Sequence, residues 1–173
     1  MSYGRMTESI SCRRFREDEV RIDARLAHAP FQPGLELAGF SADGAGAVVS
    51  FTGLARPGTL DGAKLEQLYL DHHPRLTEKS LHDIAASAER FGVAAVRIVH
   101  RCGAIAPGEP IVFVAAAALH RRAAFDAVDC LMDALKTDAV FWKREDGVDG
   151  ARWIEPTEAD RSDRARWSDH CPD

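Results

Sequence analysis

The chain has little cysteine, no long apolar run and no excess of positive charge, and each shortage removes a class of function. Only four cysteines occur in 173 residues: Cys12, Cys102, Cys130 and Cys171. None forms a C-x-x-C pair, which argues against a disulfide framework or a zinc site of closely spaced ligands. No N-terminal apolar segment reads as a secretion signal, and no apolar stretch approaches the ~20 residues that span a bilayer. A reducing cytoplasm is the expected compartment. The formal net charge is −5, so bulk electrostatics do not favour nucleic acid or anionic lipid. No glycine-rich phosphate loop follows a strand, which argues against Rossmann and P-loop folds. There is no internal repeat and no low-complexity tract.

What is present fits one domain of ordinary soluble composition, 46% apolar and 28% charged, large enough to bury a core. Residues 1–16, with Arg13, Arg14 and Arg16, read as a loose tail, and 169–173 as a second. The domain is expected over 17–168. Strands are expected at Val20–Ala24, Gly46–Gly53, Leu65–Asp71, Val96–His100, Ile111–Ala117, Val140–Arg144 and Arg152–Ile154. A short helix is expected at Pro33–Ser41. A longer one runs from Leu76 to Phe91, with Leu81, Ile84, Ala85, Ala88 and Phe91 on one face and Gly92 as its stop. Another spans Arg122–Lys136, with Ala124, Phe125, Val128, Leu131, Met132 and Leu135 inward. Strand pairs with short turns, interrupted by two amphipathic helices, predict an α+β fold with a mainly antiparallel sheet.

Cations gather at the ends of these elements. Lys136 closes a helix, where a positive charge suits the dipole. Lys143 follows in the next strand, beyond Phe141 and Trp142. If Trp142 packs inward, Phe141 and Lys143 take the other face. Lysines that share a partly buried pocket lower each other's pKa and become usable acids, bases or nucleophiles. His120 and Arg121 open the helix that Lys136 closes, and free N–H groups there favour an anion. The plainer alternative is a capping His120 beside a solvated Arg121. Arg56 lies just past a strand end. Glu145 shares a strand face with Lys143. Asp71-His72-His73 invites a metal reading, but adjacent strand histidines face opposite ways and no carboxylate completes a site. No metal is expected.

Gly46-Ala47-Val48-Val49-Ser50-Phe51-Thr52-Gly53 with Arg56, Leu119-His120-Arg121, Leu135-Lys136, Phe141-Trp142-Lys143-Arg144-Glu145 and Arg152-Trp153 together resemble the large, catalytic subunit of molybdopterin synthase. The resemblance covers roughly residues 20–168. It implies an α/β-hammerhead type of α+β fold and a homodimer. It also implies a small ubiquitin-like sulfur-carrier subunit on each protomer, giving a heterotetramer. The carrier's C-terminal Gly-Gly tail, as a thiocarboxylate, would enter a pocket and deliver two sulfurs to cyclic pyranopterin monophosphate, forming the molybdopterin dithiolene. No cofactor is implied; the pterin is substrate.

By the same resemblance, Lys136 and Lys143 match the family's active-site lysines, with Lys136 nearest the carrier's terminal carbon. His120 and Arg121 match substrate-binding residues that serve a neighbouring protomer. Leu54, Ala55 and Arg56 match a substrate-binding loop, and Arg144 and Glu145 extend the second lysine's site. Three positions depart from the pattern. Pro57-Gly58-Thr59 replaces an Asn-His-Asn-like segment, Asp71 stands for Glu, and Val140 stands for a proline that would stiffen the loop between the lysines. The altered loop after Arg56 leaves open a carrier-binding module with impaired chemistry. An unrelated enzyme of phosphate ligands is a third reading.

Overall fold

The computed structural model of the chain describes residues 20–40, 42–59, 62–148 and 150–168. Cys12, Cys171, the three N-terminal arginines and both expected tails lie outside them. The elements run β1 (Arg21–Ala27), α1 (Pro33–Ala38), β2 (Ala47–Leu54), β3 (Leu65–His72), α2 (Pro74–Ala86), β4 (Val93–Arg101), β5 (Gly103–Ile105), β6 (Pro110–Ala118), α3 (Arg121–Thr137), β7 (Phe141–Gly147), β8 (Gly150–Ile154) and α4 (Glu158–Ala165). One sheet has the order β1-β4-β6-β2 and the other β5-β3-β7-β8. Only β1 and β4 pair in parallel; every other named pairing is antiparallel. This is the α+β architecture expected. Among the described residues no helix is long and apolar enough to cross a membrane.

The first sheet carries the main core. β4 and β6 are central and buried on both faces, which explains their near-continuous apolar sequence. Val96, Ile98, Val114 and Ala116 face α2 and α3, while Ala95, Val99, Phe113 and Ala115 face Phe40 on the other side. A smaller core under the second sheet joins Ala55, Leu65, Leu68, Leu70 and Ile105. The strand path crosses between sheets at Cys102, directly from β4 into β5.

Several local expectations change. The Leu76–Phe91 helix starts earlier, at Pro74, and its last turn, Ser87–Phe91, tightens to 3₁₀ before Gly92 at φ 66°. Phe125, expected inward, is 55% exposed. It lies about 100° around the helix from Ala124, off the face that packs on the core. The helix also carries Asp133, buried where Trp167 Nε1 and Arg166 Nη2 donate to it at 2.7 and 2.8 Å. The charged segment after Pro156 is folded. It forms α4, started by a capping box between Thr157 and Asp160, and it latches onto α3.

Candidate active site

β7 sorts its residues by alternation. Phe141, Lys143 and Glu145 point inward, opposite His72, Leu70 and Leu68 of β3. Trp142 is 53% exposed on the other face. Phe141 stacks on His100, ring centroids 4.2 Å apart. His100 is buried, and burial pushes its pKa down to about 4 against the opposing pull of the Arg101 carbonyl. A neutral, stacked imidazole thus floors the start of β7.

Lys143 stands on this floor, partly buried. Burial lowers its pKa first; Arg56 and Lys136 push the same way, and Glu145 and Asp160 oppose them. These five side chains are therefore electrostatic neighbours. Glu145 is buried and accepts from Arg152 at 3.4 Å. Lys136, in the last turn of α3, donates to Asp160 Oδ1 at 3.0 Å. Asp160 was not foreseen as a site residue, although Thr157-x-x-Asp160 is a readable helix-start signal. Burial works against its charged form, but hydrogen bonds from Thr157 and Lys136 outweigh that and bring its carboxyl to about 2.

Arg56 is presented by a pinned strand end. The Ala55 N–H donates to the Glu109 carbonyl at 2.9 Å, and the Ala55 carbonyl accepts from Gly108 at 2.8 Å. Ala55 is buried, while Leu54 and Arg56 on either side are exposed. The loop between the lysines is also fixed. Val140 donates through its N–H to Ser80 Oγ at 3.2 Å, and its carbonyl accepts from buried Thr77 Oγ1 at 2.6 Å. A proline at 140 could not make the first of these bonds. Hydrogen bonds to α2 replace the stiffness that a proline ring would supply.

Two groups of expected site residues do not join this cluster within one chain. Arg144 is on the outer face of β7, with its guanidinium 4.9 Å from the Tyr69 ring, 5.4 Å from the Trp153 ring, and bonded to Asp146 at 2.7 Å. His120 and Arg121 begin α3 and are exposed. His120 is the N-cap, but its side chain makes no capping bond. At 1.5 Å per residue they lie roughly 20 Å along the helix from Lys136.

Chemically, the cluster offers a lysine of lowered basicity, a second lysine held by a carboxylate, and an exposed arginine at the rim. That set draws in an anion, stabilises negative charge developing on oxygen, and can exchange protons.

Comparison with known proteins identifies the family. The family model described as MoaE protein matches residues 26–138. A Caulobacter vibrioides protein named molybdopterin synthase catalytic subunit is 50% identical over 145 residues, covering 82% of this chain and 95% of its own. A Pseudomonas aeruginosa protein of the same name is 46% identical over 148 residues, covering 84% and 98%. The solved structure of molybdopterin cofactor biosynthesis protein E from Burkholderia multivorans superposes with a TM-score of 0.69 at 38% identity, covering 86% of this chain and 97% of that one. With the family model spanning most of the domain and relatives matched nearly end to end, the chain belongs to the MoaE protein family.

Proposed function

We propose that this chain is the catalytic subunit of a molybdopterin synthase, a sulfurtransferase of molybdenum cofactor biosynthesis. It takes sulfur from the C-terminal thiocarboxylate of a small ubiquitin-like carrier and places it on cyclic pyranopterin monophosphate. The thiocarboxylate sulfur forms a C–S bond to a pterin side-chain carbon as an oxygen substituent leaves that carbon, and water then cleaves the acyl C–S bond, so that the carrier ends in an ordinary carboxylate. The observation that carries the reading is Lys143, partly buried on the inner face of β7 within the field of Arg56 and Lys136. Lys136 and Lys143 stabilise charge on the carrier's acyl oxygen as sulfur departs. Lys143, with lowered basicity, is the better proton donor and acceptor of the two. Glu145 keeps it oriented. The chemistry needs no cofactor, and a cytoplasmic setting supplies a reduced carrier.

The phosphate anchor comes from a second copy of the chain. β2 is the edge strand of its sheet, and it exposes Val48, Phe51 and Leu54. Leu119 and Phe125 add exposed apolar surface where α3 begins. An uncovered apolar edge is a ready partner surface. Pairing there delivers His120 and Arg121 to the neighbour's lysines and makes a homodimer, with one carrier on each protomer forming a heterotetramer.

Reconstitution tests the whole reading. Purified chain, thiocarboxylated carrier and cyclic pyranopterin monophosphate should yield the dithiolene product. Tight carrier binding without product would instead favour a carrier-binding module, to which the Pro57-Gly58-Thr59 loop points. Absence of carrier binding would defeat both.

A further inference from the structure

The corner where the two sheets meet holds a group of side chains that sulfur transfer does not use. His28 follows β1 directly, His72 closes β3, and Cys102 sits between β4 and β5. Cys102 Sγ lies 3.1 Å from His28 Nδ1. The two imidazole rings are 5.6 Å apart and tilted by 57°. One donor atom from each of the three residues lies within 4.8 Å of the others. Cys102 is buried, His72 half-buried and His28 exposed.

Backbone pairing sets this corner before any ligand arrives. The Cys102 N–H donates to the Ala27 carbonyl at 3.2 Å, which fixes the residue next to His28. Leu70 pairs with Gly103, which ties the end of β3 to the residue after Cys102. Asp71 Oδ1 accepts from the His72 N–H at 2.9 Å. The neighbouring cation is occupied elsewhere: Arg101 Nη2 donates to the Ala104 carbonyl at 2.8 Å, and Nη1 lies 3.5 Å from Glu109.

We propose that His28, His72 and Cys102 form a tridentate N₂S site for a thiophilic divalent ion of the zinc class, one that staples the two sheets. Two imidazoles and a thiolate suit zinc-like ions and not magnesium or calcium, which take oxygen. Tetrahedral zinc keeps neighbouring N and S donors roughly 3.3–3.6 Å apart. The Cys102–His28 pair is near that spacing, the remaining pairs lie within 4.8 Å, and the exposed His28 ring can close the remainder by a rotamer change. Three protein ligands leave a fourth position for water. Sequence spacing could not reveal the group, because its members come from three remote strand ends.

Cobalt supplies a visible probe for the tag-free full chain, stripped of metal by chelator. Cobalt(II) should bind one equivalent, show tetrahedral visible bands and a thiolate charge-transfer band, and be displaced by zinc(II). Cys102→Ser should abolish the charge-transfer band. His28→Ala, at an exposed position, should weaken zinc binding at least about tenfold, since even outer partners of metal ligands are worth that much. Zinc should raise the Tm of the wild type saturably, and much less that of His28→Ala. A charge-transfer band that survives Cys102→Ser, equal zinc affinity in wild type and His28→Ala, or no cobalt–thiolate band at all would overturn the site and leave an S–H···N hydrogen bond. If Cys102→Ser fails to fold, His28→Ala and His72→Ala decide alone. None of these readouts involves sulfur transfer, so the outcome is independent of the proposed activity.

Discussion

The two ends of α3 carry cations under opposite conditions. At the C-terminal end Lys136 sits where the helix dipole welcomes it, and Asp160 of α4 holds its ammonium. At the N-terminal end His120, Arg121 and Arg122 face a dipole of their own sign. Arg122 reaches only a distant Asp126, 3.9 Å away. Among the described residues the side chains of His120 and Arg121 have no hydrogen-bond or ion-pair partner. One end is electrostatically complete within the chain. The other concentrates positive charge and free N–H groups, a combination that an anion relieves. Partly assembled sites in symmetric oligomers are built this way: each protomer finishes its neighbour's pocket.

The largest effect should come from breaking the complete end. Lys136→Ala should lower dithiolene formation by roughly 10²–10³-fold, the size expected for losing one preorganised charge at the reacting centre. Its stability should change by less than about 1 kcal/mol, because an exposed ion pair contributes little. Wild-type turnover in the reconstituted assay would remove Lys136 from the chemistry. Next comes the incomplete end. Arg121→Ala should weaken pterin phosphate binding more than carrier binding. Mixed with Lys143→Ala after subunit exchange, it should recover roughly a quarter of wild-type activity, because half the dimers are mixed and each has one intact pocket. No recovery would mean that each pocket takes both residues from a single protomer.

A smaller effect concerns the α4 latch. The folded Asp160 carboxyl titrates at about 2, against an ordinary 3.8. A depressed carboxylate stabilises the fold above its unfolded pKa, and that stabilisation disappears as pH falls through the folded value. The latch should therefore hold at pH 4 and release between about 4 and 2. Trp167 fluorescence reports it, since that ring packs edge-on against Phe91 at 5.7 Å. Asp160→Asn should flatten the fluorescence change in this window and cost about 1 kcal/mol through the weakened cap. Parallel acid curves for variant and wild type would mean that the Lys136 pair does not form in solution.

How much of this was legible in the sequence depends on the range of the interaction. Glycine-bounded β2, apolar β6 and the stripe of α3 are local patterns, and they appear where the pattern puts them. Lys143 and Glu145 share a face because strands alternate. Phe125 shows where periodicity ends: it marks an apolar flank but not which flank the fold covers. α4 was hidden by composition, because its stabilisation comes from Thr157, Asp160 and ion pairs to α3 rather than from an apolar face. The split between His120 and Lys136 follows from helix length alone. The corner of His28, His72 and Cys102 was illegible, since only the pairing of remote strands brings it together.

The smallest effect tests how the complete end is kept rigid. Lys136 and Lys143 are separated by a short loop that Val140 ties to α2. Ser80 Oγ accepts from the Val140 N–H, and Ser80 itself donates to the Thr77 carbonyl at 2.8 Å. Ser80→Ala leaves the Val140 N–H without that acceptor, at a cost of about 1 kcal/mol. Thr77 still holds the Val140 carbonyl, so the fold should survive. The consequence should be kinetic: turnover falls several-fold, carrier affinity is unchanged, and amide exchange at Val140 accelerates. Thr77→Val, which removes the buried partner on the other side, should cost more, and the two losses should not add, because both bonds restrain one residue. Additive losses would mean that the two hydroxyls act on separate parts of the loop, and that the spacing of the lysines is set by β7 and α3 without help from α2.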